Sequence, residues 1–211
     1  MRYYNADGGE AEMCGNGARC FGNFAAALLH HDKTAPLPFE TMAGVVTATF
    51  EKDDNVTVNL TNPHSMQLFV LNADPTVGAD VHFLNTGVPH AVAFLDKLEG
   101  LDISRLGAYL RYHEAFSPKG TNANFARILS PGHIAIRTYE RGVEDETLAC
   151  GTGITACALL HAVLTDAPSP IQVDVAGGDT LKVGFQRTGD RFTDVTLTGP
   201  ADLVFTGDIQ I

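Results

Sequence analysis

One short motif occurs twice in this sequence, and the repeat limits the folds that the chain can adopt. The first copy is CGNG at residues 14–17, and the second is CGTG at residues 150–153. Each copy follows a tyrosine and a short acidic loop, and each precedes an alanine-rich segment with apolar residues at helical spacing. The repeat predicts two related lobes, each of which presents one thiol at a helix start to a shared cleft.

The cysteine of each motif is a candidate acid or base, because a position before a helix favours the reactive form of a thiol. Only the thiolate takes up a proton, and an unperturbed cysteine titrates at about 8.5. The unpaired N–H groups and the positive dipole end of a helix N-terminus lower that pKa. The glycines let a ligand approach the backbone, whose N–H groups can bind a carboxylate. Cys14 and Cys150 are therefore predicted to carry the chemistry.

Two such thiols meet the requirement of a reaction that inverts an amino-acid α-carbon. A deprotonated group removes the α-proton from one face, and a protonated group returns a proton to the other face. N–H donors that hold the carboxylate stabilise the negative charge that develops on it. The sequence has no glycine-rich nucleotide fingerprint and no cysteine or histidine spacing typical of a metal site. We therefore expect a reaction without a cofactor or a metal ion.

The composition argues against two classes of partner. The chain of 211 residues has a formal net charge of −11, whereas nucleic acids and anionic membranes bind clustered lysine and arginine. No apolar stretch approaches the roughly 18 residues of a membrane span, and residues 1–10 lack the apolar core of a signal peptide. We therefore expect a small-molecule substrate, no nucleic acid or membrane partner, a cytoplasmic location and reduced cysteines.

The hydrophobic pattern predicts a chain that mixes helices and strands. Helices are predicted at residues 18–31, 102–113 and 152–164, from apolar residues at helical spacing. Cys20 and Cys157 lie inside two of these helices, and we interpret them as buried packing residues. Alternating and β-branched runs predict strands at residues 44–50, 56–60, 66–71, 91–95, 124–129, 133–139, 171–175, 180–186, 192–197 and 202–205.

Several segments resemble those of one enzyme family. They are NADGGEAEMCGNGARC (5–20), NTGVPH (85–90), GTNANF (120–125) and YERGVEDETLACGTG (139–153). Through them the chain resembles the diaminopimelate epimerase family over essentially its whole length. CGTG alone is less specific, because proline racemases and phenazine-biosynthesis-like proteins share the fold. The resemblance implies an isomerase that interconverts LL- and meso-diaminopimelate with two cysteines and no cofactor, in the synthesis of lysine and peptidoglycan precursors.

The resemblance also implies the architecture. We expect an α/β (α+β) chain of two pseudo-symmetric lobes, each a β-rich layer wrapped around a central helix. The first lobe is expected to contain residues 1–60 and 197–211, and the second residues 61–196. Family members usually carry several dozen residues before the segment that matches residues 3–5, so we expect a first lobe that is incomplete at its N-terminus and a chain that is unstable or weakly active. The family often forms homodimers, and a homodimer is a further expectation.

Individual residues take roles from the same resemblance. The catalytic acid/base pair is matched by Cys14 and Cys150. The residues expected to hold the reacting carboxylate through helix-start N–H groups are Gly15, Asn16, Gly151 and Thr152. The residues expected to contact the rest of the substrate are Asn5, His90, Asn122, Glu140 and Arg141.

Within that second set, the side-chain types suit an amino acid with two charged ends. Arg141 suits a carboxylate because a guanidinium donates two parallel hydrogen bonds, and Glu140 suits an ammonium group. Asn5 and Asn122 match asparagines that read the distal, non-reacting end, and His90 matches a histidine near the reacting centre. The chain departs from the family pattern at the residue before Pro89, where a valine stands in place of an asparagine that touches substrate in many members.

Three other functions stay open. A racemase or epimerase of another amino acid would use the same fold and thiols, but a substrate with a single amino-acid end would leave Asn5, Asn122 and Arg141 unpaired. An inactive homologue that only binds an amino acid or assembles with a partner is the second alternative. The third is a thiol redox protein in which Cys14 and Cys150 form a disulfide, although neither lies in the CxxC motif typical of such proteins.

Overall fold

The computed structural model describes residues 1–4, 8–11, 13–52 and 54–208 of the chain. These residues form the helices α1 (Gly15–Leu28), α2 (Ile103–Arg111) and α3 (Gly151–Thr165), and a short 3-10 helix at Glu114–Phe116. The strands are β1 (Tyr3–Tyr4), β2 (Glu10–Ala11), β3 (Leu37–Thr41), β4 (Gly44–Phe50), β5 (Val56–Asn59), β6 (His64–Asp74), β7 (Ala79–Asn85), β8 (Pro89–Phe94), β9 (Asn122–Ser130), β10 (His133–Glu140), β11 (Asp145–Thr147), β12 (Ile171–Asp174), β13 (Thr180–Thr188) and β14 (Arg191–Gly199).

Contacts between residues divide the chain into two compact units. Unit 1 comprises Met1–Val58 and Thr198–Ile211, and unit 2 comprises Asn59–Leu197. The chain leaves unit 1 within β5 and returns to it within β14. Because α1 lies in unit 1 and α3 in unit 2, each unit contains one copy of the repeated cysteine motif.

The sheet of unit 2 is wrapped around α3. Its strand order is β14-β13-β12-β10-β9-β8-β7-β6. The pairs β8–β9 and β10–β12 are parallel, whereas β6–β7, β7–β8, β9–β10 and β12–β13 are antiparallel. Strand β11 pairs with residues 138–140 of β10, beyond the stretch 133–135 that pairs with β12. The helix packs against β7, β8, β9, β10, β12 and β13.

Helix α3 is interior because its sequence is apolar on every side. All residues from Gly153 to Ala162 are buried, and Leu159 and Leu160 are completely enclosed. A helix that is apolar all round is stable only when it is covered on all sides, and each enclosed leucine contributes about 1.5–3 kcal/mol.

No helix among the residues that the structure describes is long and apolar enough to cross a membrane.

Helix α2 packs against β9, β10 and β11. It begins at Asp102, whose carboxylate accepts the N–H of Arg105, and its apolar side joins the core that contains Leu106, Leu110 and Phe125. The approach of α2 to the sheet requires a glycine: a Cβ on Gly107 would overlap the ring of Tyr139 on β10.

In unit 1, α1 packs against the antiparallel strands β3 and β4, and β4 pairs with β5. The helix can approach this closely because a Cβ on Gly22 would lie 2.7 Å from the Cβ of Ala48. The ring of Phe21 contacts the ring of Phe39 edge to face, with centroids 4.9 Å apart. Ala18 at the start of α1 is fully buried. Small residues therefore set the distance between α1 and its sheet.

The structure confirms the mixed α+β class and corrects some of the predicted elements. Helix α1 begins and ends three residues earlier than predicted. His30, beyond its end, has a φ of 50°, a left-handed conformation through which a right-handed helix cannot continue. Strands β3, β7 and β11 and the two-residue strands β1 and β2 were not among the predicted strands. The strand predicted at 202–205 is wrong: those residues pair with no strand that the structure describes, and Leu203, Val204 and Phe205 are 75–87% exposed.

Candidate active site

Cys14 is the residue at which α1 begins. Its backbone is extended, and its sulfur accepts a hydrogen bond of 3.3 Å from the N–H of Gly17. Its carbonyl oxygen accepts the N–H of Ala18 and so opens the helical ladder. The half-buried thiol thus takes the capping position that serine, threonine or aspartate commonly occupies, where the N–H groups of the first turn point toward it.

Cys150 occupies the same position at the start of α3. Its backbone is also extended, and its carbonyl oxygen accepts the N–H of Ile154. Its sulfur lies 3.5 Å from the hydroxyl oxygen of Thr152. Only 7% of this residue is exposed, so its thiol is better shielded from water than that of Cys14. In both motifs the cysteine is therefore the N-cap residue of the helix that was predicted to follow it.

The other two cysteines differ from each other. Cys157 is fully buried, and burial together with the neighbouring Cys150 raises the pKa of its thiol far above the ordinary range, which confirms its interpretation as a packing residue. Cys20 is exposed, so the same interpretation was wrong there. The reason is that α1 buries one side only: Cys20 lies in line with Phe24 and Leu28, which are 59% and 66% exposed.

Strand and loop residues of unit 2 surround the first turn of α3. The hydroxyl of Thr86 donates a 2.9 Å hydrogen bond to the carbonyl oxygen of Thr152. A Cβ on Gly153 would lie 2.5 Å from Oδ1 of Asn124 and 3.3 Å from Cε1 of His90. The glycine therefore lets the start of the helix approach the polar side chains of β8 and β9 closely.

His90 is completely buried at the start of β8. Its Nδ1 lies 3.1 Å from the side-chain nitrogen of Asn124. Burial, with a smaller contribution from the positive charge of Arg141, lowers the pKa of His90 to about 3. The imidazole is therefore neutral in the folded protein at any ordinary pH.

Asn122 ties three parts of unit 2 together. Its amide nitrogen donates to the carbonyl oxygen of Pro89, at 3.0 Å, and its amide oxygen accepts the N–H of Arg141, at 2.8 Å. The residue is 3% exposed. It therefore fixes the NTGVPH turn and the loop after β10 to the start of β9, and its predicted contact with a substrate stays a prediction.

Glu140 and Arg141 end β10 and begin the loop that leads to β11. Burial raises the pKa of Glu140, an effect that the hydroxyl of Thr147 partly offsets. The guanidinium of Arg141 donates a 3.1 Å hydrogen bond to the carbonyl oxygen of Lys119. A half-buried carboxyl group and a partly exposed guanidinium thus stand next to each other in the sequence at this edge of the sheet.

The predicted site residues fall into two groups. Unit 2 brings together the start of α3, His90, Asn122 and Arg141 through the contacts described above. In unit 1 the first turn of α1 contains a buried Gly15 and a half-buried Asn16, directly after Cys14. Asn5 lies outside the described residues. Among the residues that are described, no three histidine, cysteine, aspartate or glutamate side chains are placed to hold a metal ion.

Sequence reasoning missed three polar side chains near the start of α3, namely Thr86, Asn124 and Thr138. Asn124 and Thr138 are buried, and the hydroxyl of Thr138 donates to Oδ1 of Asn124 at 3.0 Å. A usable signal was present for Asn124, because it follows Asn122 at the two-residue spacing that places both side chains on one face of a strand.

The fold is shared with solved structures of other proteins. A phenazine biosynthesis protein of the PhzF family from Bacillus anthracis superposes with a TM-score of 0.69, over 95% of this chain and 76% of that chain, at 14% sequence identity. The likeness, together with the strands wrapped around α3, places the protein in the class of sheet-rich α+β proteins with the diaminopimelate epimerase-like fold.

Sequence comparison narrows the class to one family. The sequence model of diaminopimelate epimerase matches residues 1–66 and 82–204. The diaminopimelate epimerase of a Hydrogenobaculum species is 43% identical over 97% of this chain and 73% of the relative. That of Aquifex aeolicus is 42% identical over 99% of this chain and 73% of the relative. The chain belongs to the diaminopimelate epimerase family.

Proposed function

We propose that the protein is a diaminopimelate epimerase that interconverts the LL and meso isomers in the cytoplasm, for the synthesis of lysine and peptidoglycan precursors. The observation that carries the proposal is the position of two cysteines. Cys14 and Cys150 each occupy the N-cap position of a helix whose first turn reads Gly-x-Gly, in a chain that belongs to this family. The family's name supports the substrate, and the paired thiols support the reaction.

The proposed reaction uses the two thiols as acid and base on opposite faces of one carbon. The thiolate of one cysteine takes the α-proton, and the electron pair of the C–H bond moves into the carboxylate. The thiol of the other cysteine then donates its proton to the opposite face of the carbon. The configuration is inverted, the substrate has the same composition as before, and the two cysteines have exchanged their protonation states.

The backbone at the helix starts supports the charge that develops on the carboxylate. N–H groups in the first turn of a helix lie at the positive end of the helix dipole and bind anions. Gly15, Asn16, Gly151 and Thr152 supply such groups next to the two cysteines. Donors that are fixed in place before the reaction stabilise a transition state without reorganisation, so the proposed reaction needs no cofactor.

Side chains beside this centre suit the distal end of the substrate. Arg141, held by the carbonyl oxygen of Lys119, offers donors to a second carboxylate, and Glu140 offers an acceptor to an ammonium group. Asn122 fixes the backbone of Arg141 and keeps further hydrogen-bonding capacity at its amide. We propose that these residues, with Asn5, select an amino acid that carries a second amino-acid end.

Proton exchange measures the proposed chemistry directly. The purified, reduced protein is incubated with LL-diaminopimelate in heavy water, and proton NMR follows the α-proton. We expect the α-proton signal to decay while the meso isomer appears with deuterium at the inverted carbon. Absence of exchange with a folded protein would contradict the proposal. Exchange only with amino acids that have a single amino-acid end would instead assign a racemase or epimerase of another substrate.

Serine variants test the two-thiol mechanism, since a hydroxyl is a far weaker acid than a thiol. Cys14→Ser and Cys150→Ser are each expected to lower epimerisation by at least about a thousandfold, in line with the loss of a catalytic acid or base. Cys20→Ser is the matched control, because this exposed thiol lies in the same helix as the first motif. Full turnover in either catalytic variant would refute the mechanism. Light scattering of the same preparations tests the homodimer that the family resemblance leads us to expect.

A further inference from the structure

Three neighbouring strands of unit 2 place buried polar side chains side by side beneath the start of α3. They are His90 on β8, Asn124 on β9 and Thr138 on β10, which we name the polar row. Asn124 and Thr138 are directly opposite in the antiparallel pair of β9 and β10. His90 pairs with Asn122, two residues from Asn124 and thus on the same face of the sheet. The three residues are 0–2% exposed.

The orientation of the Asn124 amide follows from a carbonyl group. One end of the amide lies 3.0 Å from the backbone oxygen of Ala91, and a carbonyl oxygen can only accept a hydrogen bond. That end is therefore the NH2 group. The other end is the oxygen, which can only accept, so the hydroxyl of Thr138 must be the donor across their 3.0 Å contact. Each polar atom of the amide is thereby satisfied.

The same NH2 group determines where the imidazole of His90 carries its proton. It lies 3.1 Å from Nδ1, and since it can only donate, Nδ1 must be the acceptor and cannot hold a hydrogen. Burial keeps the ring neutral, because it lowers the pKa to about 3. A neutral imidazole has one hydrogen, so that hydrogen is on Nε2. Nε2 is enclosed and has no hydrogen-bond partner among the described residues.

We propose that Asn124 and Thr138 are positioning residues that hold His90 as the Nε2–H tautomer, so that the ring offers one neutral N–H donor to a carboxylate oxygen of the substrate. The tautomer rests on the contacts of the polar row, on the carbonyl oxygen of Ala91 and on the burial that keeps the ring neutral. That the acceptor is a substrate carboxylate rests on the proposed function.

The surroundings of the ring favour an anion as the acceptor. The positive charge of Arg141 acts on the imidazole, and the first turn of α3, at the positive end of the helix dipole, reaches the ring through Gly153. A buried N–H group without a hydrogen-bond partner destabilises the folded protein, and a bound acceptor would offset this cost. Because His90 is neutral, it gives this donor at constant strength across the pH range in which a typical histidine would switch.

NMR of the protein with 15N-labelled histidine reads the tautomer directly. We expect one imidazole to show an unprotonated Nδ1 and a protonated Nε2, unchanged between about pH 6 and pH 8, where an unperturbed histidine titrates. His90→Gln identifies the signals by their loss. A protonated Nδ1, or titration of this ring within that range, would overturn the proposal whether or not the protein is an epimerase.

Variants of Thr138 test the positioning role. Thr138→Val keeps the shape and removes one of the two contacts that orient the amide, while the carbonyl oxygen of Ala91 still accepts from the NH2 group. The ring is therefore expected to populate the Nδ1–H tautomer in part. Thr138→Ser restores the hydroxyl and is expected to restore the single tautomer. Thr165→Val is the control, because Thr165 at the far end of α3 loses a hydroxyl that donates to the backbone oxygen of His161 and not to the polar row. An unchanged tautomer in Thr138→Val would overturn the role of Thr138.

Asn124→Asp tests the other positioning residue. A carboxylate can only accept, so we expect the proton to move from Nε2 to Nδ1 of His90 in this variant. Retention of the Nε2–H tautomer would show that the amide does not control the ring and would overturn the proposal for Asn124.

Kinetics separate the two layers of the proposal. Thr138→Val is expected to lower kcat by about tenfold with less than about a threefold change in KM, because a misplaced donor is missed most where charge develops on the carboxylate. A normal kcat in a variant with altered tautomer would overturn the role of the donor in the reaction. An inactive wild-type protein with the expected tautomer would instead refute the proposed function and leave the positioning intact.

Discussion

A single added methyl group at Gly153 tests how closely α3 rests on the polar row. In Gly153→Ala the new Cβ would lie 2.5 Å from Oδ1 of Asn124, about 1 Å inside normal contact. Overpacking of this kind costs about 1–3 kcal/mol, and displacement of the Asn124 oxygen from the Thr138 hydroxyl adds about 1–3 kcal/mol for a broken buried hydrogen bond. The better helix propensity of alanine offsets about 1 kcal/mol. We expect a net loss of about 3 kcal/mol in the free energy of unfolding.

Thermal unfolding followed by circular dichroism measures this loss. For a chain of this size, about 3 kcal/mol corresponds to a decrease in Tm of about 6–12 °C. Gly17→Ala is the matched control, since it occupies the same place in the first motif and its Cβ would meet only ordinary contacts, 3.4 Å from Tyr3 and 3.5 Å from Cys14. We expect that variant to lie within about 1 kcal/mol of the wild type. Equal Tm values for the two variants would refute the reasoning.

Two further predictions concern other buried positions of unit 2. Gly107→Ala forces a methyl group into the ring of Tyr139 and is expected to cost about 3 kcal/mol of unfolding free energy, measured by urea titration; a loss below about 1 kcal/mol would contradict the close approach of α2. His161 is enclosed against Phe94, neither of its ring nitrogens has a partner among the described residues, and burial lowers its pKa. The unfolded chain therefore takes up this proton first as pH falls below about 6.5, so folded stability present above that pH is lost on acidification. His161→Leu is expected to reduce that loss, and an identical pH dependence of Tm in both proteins would count against it.

The helices of the fold were predicted from the sequence more reliably than its strands. Helix α3 was predictable because an apolar run of helical length, directly after a Cys-Gly-x-Gly motif, indicates a buried helix. The β-branched and aromatic residues at 202–205 have the same local preference as a strand, but in the structure no neighbouring strand pairs with them. Strand formation depends on a partner that local sequence does not contain, and this is why residues 202–205 misled the prediction.

The residues of the candidate site also differ in whether the local sequence could predict their positions. The positions of Cys14 and Cys150 at helix starts follow from motif and periodicity, which are local. The contact between His90 and Asn124 joins residues 34 positions apart, and only the parallel register of β8 and β9 brings them together. Asparagine in a strand ordinarily reads as an exposed residue, so its burial beneath α3 could not be inferred from residue type.

The unequal exposure of the cysteines has a practical consequence for chemical labelling. Cys20 is exposed and Cys14 half-buried, whereas Cys150 is 7% and Cys157 0% exposed. Exposure favours attachment of an alkylating reagent to Cys20, whereas the helix N-terminus favours the reactive thiolate of Cys14, so these two thiols compete for a limiting amount of reagent. A single adduct on the chain therefore does not by itself show that a thiol proposed for catalysis has reacted. Only in a Cys20→Ser background does the stoichiometry of labelling report on Cys14 and Cys150 alone.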